Sequence, residues 1–288
     1  MNARAKVAPV APVAIKPRRM DFHFDDAIPT YWFDNNVFKT LLLTAMSSTF
    51  PEGERFFIDS VRHYQDGVTD PVLRQQVRGF IGQEAHHGKE HDVLNDFMQG
   101  KGFPVKEEEE FVRQGLKWQR KRLSPERQLA KTCALEHFTA LFAELLLEHP
   151  DFFKGMDERV LPIWLWHAVE ESEHKTVAFD VYQGQVGNYW IRTSEMAITT
   201  LEFSFFTAFH MYRLSRVREG GLGFRNTLKG LNFLLGRKGW LRKLAPRYRD
   251  YYRRDFHPAD VDSTELRRNT MKKIAAMLNK PELLEDYV

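Results

Sequence analysis

Two short segments, far apart in the chain, each place a glutamate and a histidine three residues apart. The first pair is Glu84 and His87, and the second pair is Glu171 and His174. Residues three positions apart lie on one face of an α-helix, so each pair can direct a carboxylate and an imidazole towards one point. The spacing therefore predicts two helices that contribute mixed oxygen and nitrogen donors to a common site.

Two further glutamates precede these pairs. Glu54 lies thirty residues before Glu84, and Glu136 lies thirty-five residues before Glu171. Four carboxylates can neutralise and bridge two divalent cations, and two neutral imidazoles complete the set while leaving coordination positions open. Such donors, arranged on four helices of a bundle, hold pairs of iron or manganese ions. The predicted metal ligands are Glu54, Glu84, His87, Glu136, Glu171 and His174.

Some predicted ligands have neighbours that could join the site, and the sequence leaves the roles of these neighbours open. A histidine one turn beyond His87 could bind a metal, hydrogen-bond a ligand or be structural. The glutamate before Glu171 could replace it as the partner of His174, although Glu171 repeats the spacing of the first pair. A glutamate two turns beyond Glu136 and a histidine one turn before Glu171 are further candidates. These additional candidates are His91, Glu170, Glu144 and His167.

Four amphipathic segments are predicted as the helices that carry the ligands, and Asp70 is a predicted N-cap for the second of them. Their connections are short, long and short, because only the middle one, residues 100–123, is extensive. Short connections join antiparallel neighbours, and one long middle crossover is the ferritin-like topology. The predicted helices are 51–66, 70–98, 125–148 and 157–185.

The predicted metal-binding bundle occupies about residues 51–186 of one helical domain that spans residues 21–280. Before it, residues 1–20 are rich in Ala and Pro and predict a disordered arm. After it, residues 189–280 predict helices that cover the bundle, and the first of these is rich in Phe and could also line an apolar substrate channel. No long segment has the alternating pattern of a β-strand, so the predicted fold class is all-α.

Composition argues against several classes of protein. The formal net charge of +3 gives no argument for nucleic-acid binding by itself. Cys133 is the only cysteine, which excludes an internal disulfide and a thiolate metal site and fits the reducing cytoplasm. Prolines interrupt the apolar N-terminus, which argues against a secretory signal. The basic and aromatic stretch 237–254 is better explained as a solvated helix face than as a contact with an anionic membrane surface or nucleic acid.

The motifs together resemble a bacterial family of predicted metal-dependent hydrolases over about residues 20–280. The resemblance implies the same six ligands, and their order is also similar to that of ferritin-like di-iron oxygenases. The residues that carry it are Phe50-Pro51-x-Gly-Glu54-x-Phe-Phe57, Glu84-x-x-His87, Leu135-Glu136-His137, Glu171-x-x-His174 and Phe256-His257-Pro258.

Two functions follow as expectations. The motif class implies a di-iron centre that activates O₂ and oxidises a small apolar or amine-bearing substrate, with electrons from a separate reductase or ferredoxin. The alternative is a hydrolase in which a dinuclear site activates water, and a lesser alternative is non-enzymatic metal binding. The expected cofactors are two iron ions, with manganese or zinc as alternatives. We expect a cytoplasmic protein that binds no nucleic acid, and a homodimer is one alternative for its oligomeric state.

Overall fold

The fold is known for residues 15–217, 221–237 and 239–287, which a computed structural model describes. These residues form helices and no β-strand, so the all-α prediction is confirmed. The α-helices are α1 (Val37–Ser47), α2 (Phe50–Arg62), α3 (Pro71–Gly100), α4 (Val105–Arg122), α5 (Pro125–Glu148), α6 (Leu161–His174), α7 (Val177–Gln185), α8 (Tyr189–Ser215), α9 (Phe224–Leu235), α10 (Trp240–Asp250) and α11 (Thr264–Leu278).

Helices α2, α3, α5, α6 and α7 surround the predicted ligands. α2 packs against α3 and α5, and both of these pack against the successive helices α6 and α7. The contacts therefore close into a ring of four rods, in which α6 and α7 together form the fourth. This is the arrangement of a four-helix bundle, while the ferritin-like topology in detail stays a prediction.

Local sequence signals explain where several helices begin. Asp70 caps α3 as predicted, because its side chain accepts a hydrogen bond of 2.9 Å from the backbone N–H of Val72. Pro71 follows in the first turn, where a helix leaves backbone N–H groups unpaired in any case. Near the C-terminus, Asp262 accepts a hydrogen bond of 2.9 Å from the backbone N–H of Thr264 at the start of α11. Short-range chemistry therefore sets these starts.

Two predicted boundaries are wrong. The connection 100–123 is mostly helical, because α4 lies within it and packs against α2 and α3. The acidic first turn of α4 and its basic last turn, Arg120–Arg122, complement the helix dipole. This charge pattern is a local signal for a helix that the prediction did not use. The predicted helix 157–185 is interrupted at Lys175 and Thr176, between α6 and α7. The continuous apolar pattern gave no sign of this break.

The predicted disordered arm, residues 1–20, is too long. Residues 1–14 lie outside the described residues, but the end of the arm packs against the bundle. Arg18 is buried, and its guanidinium donates hydrogen bonds to Glu170 at 3.0 Å and to Glu173 at 2.7 Å. Composition misled the prediction here because it does not reveal a buried partner elsewhere in the chain.

Helices α8 to α11 cover the bundle from outside. α8 packs against α5 and α1, α10 against α5 and α9, and α11 against α6 and α5. α9 lies directly on α1 at Gly230, where a Cβ atom would approach the ring of Phe38 to 2.2 Å. Although α8 has 27 residues, neither it nor any other described helix is both long and apolar enough to cross a membrane.

Candidate metal centre

The six predicted ligands meet in the interior of the bundle. α2 and α5 each contribute one glutamate, and α3 and α6 each contribute a Glu-x-x-His pair. None of the six residues is more than 3% exposed to solvent. His174 Nε2, for example, lies 3.0 Å from Glu84 Oε1 and 3.4 Å from Glu136 Oε2. The structure thus brings together donors that are distant in sequence.

Glu171 lies between two imidazoles, with one oxygen near each. Its Oε1 is 3.6 Å from Nδ1 of His87, and its Oε2 is 3.4 Å from Nε2 of His174. The donor atoms form two groups, each with its atoms within 4.8 Å of one another, so each group could hold one cation. Glu171 therefore lies between the two groups, with one oxygen near a histidine of each. The two groups are Glu54, His87 and His167, and Glu84, Glu171 and His174.

Most donor atoms of the six predicted ligands make no hydrogen bond of normal geometry with described residues. A buried polar atom without a partner costs about 1–3 kcal/mol, and a buried unpaired charge costs more. Because many unsatisfied atoms meet on the predicted ligands, the donor set fits a pair of cations. These atoms are both carboxylate oxygens of Glu54, Glu84 and Glu136, Oε2 of Glu171, Nδ1 of His87 and Nε2 of His174.

Hydrogen bonds behind the centre set the orientation of two histidine rings. His87 Nε2 lies 3.1 Å from Glu170 Oε2, and His174 Nδ1 lies 3.0 Å from Gln83 Oε1. A carboxylate and an amide oxygen accept hydrogen bonds, so each ring carries its proton on that nitrogen. In a neutral ring, the lone pair of the other nitrogen then faces the glutamates, as in histidines that bind metals.

His167 is a third imidazole at the centre. Its Nε2 lies 2.8 Å from Glu171 Oε1, and its Nδ1 lies 2.7 Å from Nε2 of His91. The Nδ1 atom of His91 is 2.9 Å from the hydroxyl of Ser47, which donates its own hydrogen to Asn95. His91 must therefore donate at Nδ1 and accept at Nε2. This leaves the proton of His167 on Nδ1 and directs its Nε2 towards the centre.

The other additional candidates support the centre or lie outside it. Both ring nitrogens of His91 are engaged, so this residue orients His167 and does not bind a metal. Burial and the nearby His167 hold the pKa of His91 well below its usual value, so the ring is neutral. Glu170 orients His87 in the same way. Glu144 is in neither group of donor atoms, and its oxygens contact the side-chain nitrogens of Lys175 at 2.6 Å and Arg247 at 3.2 Å.

Three supporting residues were missed from the sequence: Arg18, Gln83 and Ser47. Arg18 links Glu170 to Glu173, and the side-chain amide of Gln83 donates to the same Glu173 at 2.8 Å. Their partners are distant along the chain, so no local spacing identifies them. Only the adjacency of Gln83 to a predicted ligand could have drawn attention to it.

The carboxyl groups of the centre repel one another when no cation is bound. Burial, together with the charges of neighbouring carboxylates, raises the pKa values of Glu54 and Glu136 well above their usual range. Glu171 differs. Burial opposes its ionisation, but the imidazole of His174 helps to hold its pKa well below the usual range. The metal-free centre therefore holds protons that a cation must displace, and metal affinity should rise with pH.

A cavity of about 1070 Å³ adjoins the centre. Glu54, His167 and Glu171 line part of its wall, so the centre faces the cavity. Most of the remaining wall is apolar, and it includes Phe203 and Phe206 of α8. The Phe-rich helix thus lines an apolar space, which agrees with the channel alternative considered for it.

The family model described as "Predicted metal-dependent hydrolase" matches residues 16–262. The chain belongs to this family. The match includes all the helices that carry the candidate ligands. No curated protein and no solved structure shows significant similarity to the chain. Membership of the predicted metal-dependent hydrolase family confirms the resemblance and supports a metal at the centre, whereas it gives no support to the oxygenase prediction.

Replacing His91 with phenylalanine is expected to lower metal affinity about 10- to 100-fold, because His167 loses the hydrogen bond that orients its ring. Titration of the metal-free protein with Mn²⁺ and Zn²⁺ measures this affinity. The same substitution at His86, which is half-buried on α3 outside the centre, is the control and should leave the affinity unchanged. Equal affinities for the two variants would contradict the orienting role of His91.

Proposed function

We propose that the chain is a hydrolase in which a dinuclear metal centre acts on a large apolar substrate. The observation that carries the proposal is that unsatisfied donor atoms open onto an apolar cavity. The metal-dependent hydrolase family supports this type of activity. The proposed ligands are Glu54, Glu84, His87, Glu136, Glu171 and His174, with His167 as a seventh.

A bound divalent cation would supply the nucleophile by lowering the pKa of a water molecule towards neutrality. The chain's own residues would bind and orient the substrate. Phe203 and Phe206 offer apolar surface for it, and their side chains limit the access of bulk water, which strengthens electrostatic interactions nearby. Lys131, which pairs with Glu202 in the cavity wall, offers N–H groups to a polar oxygen of the substrate.

A second candidate function is oxidation of an apolar or amine-bearing substrate with O₂ at two iron ions. The specific observation in its favour is the carboxylate-rich donor set on four helices, which is typical of di-iron bundles. This activity would need electrons from a reductase or ferredoxin. Simple metal storage is less well supported, because storage gives no reason for a large cavity beside the centre.

Two observations distinguish the two functions: which metal supports activity, and whether that activity requires O₂. The chain would be freed of metal, loaded anaerobically with zinc, manganese or iron, and assayed on chromogenic esters with apolar acyl groups. Hydrolysis without O₂ by the zinc or manganese form supports the proposal. Activity confined to the iron form, with an optical band that appears only with O₂, would support oxidation instead. A chain that binds none of these metals would contradict both functions.

Replacing Gly53 with leucine is expected to reduce turnover of large apolar substrates about tenfold or more without loss of metal. Gly53 lines the cavity, and a Cβ atom there meets no other atom within 4 Å, so the new side chain would occupy substrate space. Helical Gly-to-Leu changes also favour the helix. Gly184→Leu, equally free of contacts but outside the cavity wall, is the control. Unchanged turnover in the Gly53 variant would contradict binding of substrate in this cavity.

A further inference from the structure

The mouth of the cavity has an exposed apolar rim that is formed by residues of α8 and α9. Tyr212, Phe224 and Leu231 line the cavity, and yet they are 57%, 81% and 42% exposed to solvent. Contiguous exposed apolar surface on a soluble chain usually marks an interaction site. The rim is therefore a candidate contact surface that also gives access to the centre.

α9 continues this rim as a stripe along one helix face. Phe224, Leu228, Leu231 and Leu235 recur at intervals of three and four residues, and all four are exposed. The helix is fixed from its other side, where Gly230 lies against α1. α9 thus presents its apolar stripe to solvent while its buried face holds it on the protein.

Basic residues accompany the stripe. Arg225 and Lys229 are exposed on α9, and neither forms an ion pair with another described residue. Between residues 203 and 249 the sequence has eleven Lys or Arg and one acidic residue, Glu219. Arg213 and Arg247 pair with glutamates of other helices, but the excess of basic residues still makes this part of the chain attract anions. By contrast, the candidate membrane segment 237–254 packs some of its apolar residues inward.

We propose that the exposed face of α9 docks on an anionic lipid bilayer surface. An amphipathic helix with an apolar stripe beside Lys and Arg lies in the plane of such a surface, with the stripe at the boundary of headgroups and acyl chains. Arg225 and Lys229 would then meet lipid phosphates. Docking would place the cavity mouth at the acyl chains, so an apolar substrate could enter directly from the lipid. This last step rests on the proposed function.

A second copy of the chain fits the face less well. A symmetric dimer through α9 would bring Arg225 and Lys229 of both copies into one interface. The described part of α9 and its flanking residues has no acidic side chain to neutralise them. Like charges at an interface oppose association, whereas an anionic bilayer complements them.

Co-sedimentation with vesicles tests the proposal. The full chain should bind vesicles of equimolar phosphatidylglycerol and phosphatidylcholine more strongly than vesicles of phosphatidylcholine alone. The double variant Leu228→Glu and Leu235→Glu should bind about tenfold more weakly or worse. Neither leucine lines the cavity, so metal content should stay unchanged. Arg225→Ala with Lys229→Ala should weaken binding about thirtyfold on the mixed vesicles only.

Val72→Glu is the matched control, because Val72 is a similarly exposed apolar residue on α3. This variant should bind vesicles like the unmodified chain. The proposal is overturned if the chain stays in the supernatant with mixed vesicles, or if the leucine variant binds as well as the control. It is also overturned if light scattering shows a dimer that the leucine changes convert to monomers. The metal-free chain should bind vesicles as strongly as the metal-loaded chain. The test of vesicle binding can therefore fail while the test for hydrolysis succeeds.

Discussion

Replacing Glu136 with glutamine is expected to reduce metal affinity by more than about 100-fold, because even a residue that only orients a ligand contributes about 10- to 100-fold. The stability of the metal-free chain should stay within about 1 kcal/mol of the unmodified chain. Burial raises the pKa of Glu136 well above its usual range, so its carboxyl group carries a proton when no cation is present. Glutamine has nearly the shape of that protonated group but cannot act as an anionic ligand.

Glu173→Gln is the matched control, with the same chemical change at another buried glutamate. Glu173 accepts hydrogen bonds from Arg18 and Gln83, so its anion is already satisfied without a metal. This variant should lose far less metal affinity than Glu136→Gln and about 1–3 kcal/mol of stability. Elemental analysis after dialysis and urea unfolding after chelation measure the two quantities. Near-full metal content in Glu136→Gln, or in Glu171→Ala or His87→Ala, would count against the proposed ligands.

The ligand positions could be predicted because helical periodicity is a local property. Glu84 and His87 share a helix face whatever surrounds them, and the same holds for Glu171 and His174. Their convergence then required only that four helices pack with these faces inward, which the apolar neighbours indicated. The α5 boundaries followed from equally local signals, since the Ser-Pro-Glu sequence at residues 124–126 marks its start.

The layer of residues behind the ligands could not be predicted, because it depends on pairings between distant parts of the chain. Arg18 stands in a segment whose composition is typical of disorder, but it is fixed by two glutamates more than 150 residues away. Spacing alone could not show whether His91 binds a metal or orients a ligand. Its role became clear only from Ser47 and His167, which occupy its two nitrogens.

The metal-free chain is expected to lose stability as pH rises above about 6.5. Glu54 and Glu136 ionise at an ordinary pKa of 4.5 when the chain is unfolded, whereas burial raises their pKa values well above this in the fold. Between these two values the folded state holds protons that the unfolded state has released. Stability therefore falls by about 1.4 kcal/mol per pH unit for each such group. His174 adds to this fall in stability at pH values above its ordinary pKa of 6.5. Burial lowers the pKa of His174, but Glu171 and other carboxylates raise that pKa by more.

Two other histidines oppose this trend only at lower pH. Burial and the nearby His167 hold the pKa values of His87 and His91 well below 6.5, so these rings gain protons on unfolding in acid and stability falls as pH drops. Above about 6.5 they are neutral in both states, and the carboxyl groups dominate.

Urea unfolding between pH 6.5 and pH 8.5, with and without chelator, measures the effect. The metal-loaded chain should show a much smaller fall, because cations replace the displaced protons and bind more tightly as pH rises. Glu136→Gln, which lacks one of the titrating groups, should show a shallower slope than the unmodified chain when both are metal-free. If the stability of the metal-free chain stays constant or rises between pH 6.5 and pH 8.5, these carboxyl groups do not share one buried centre.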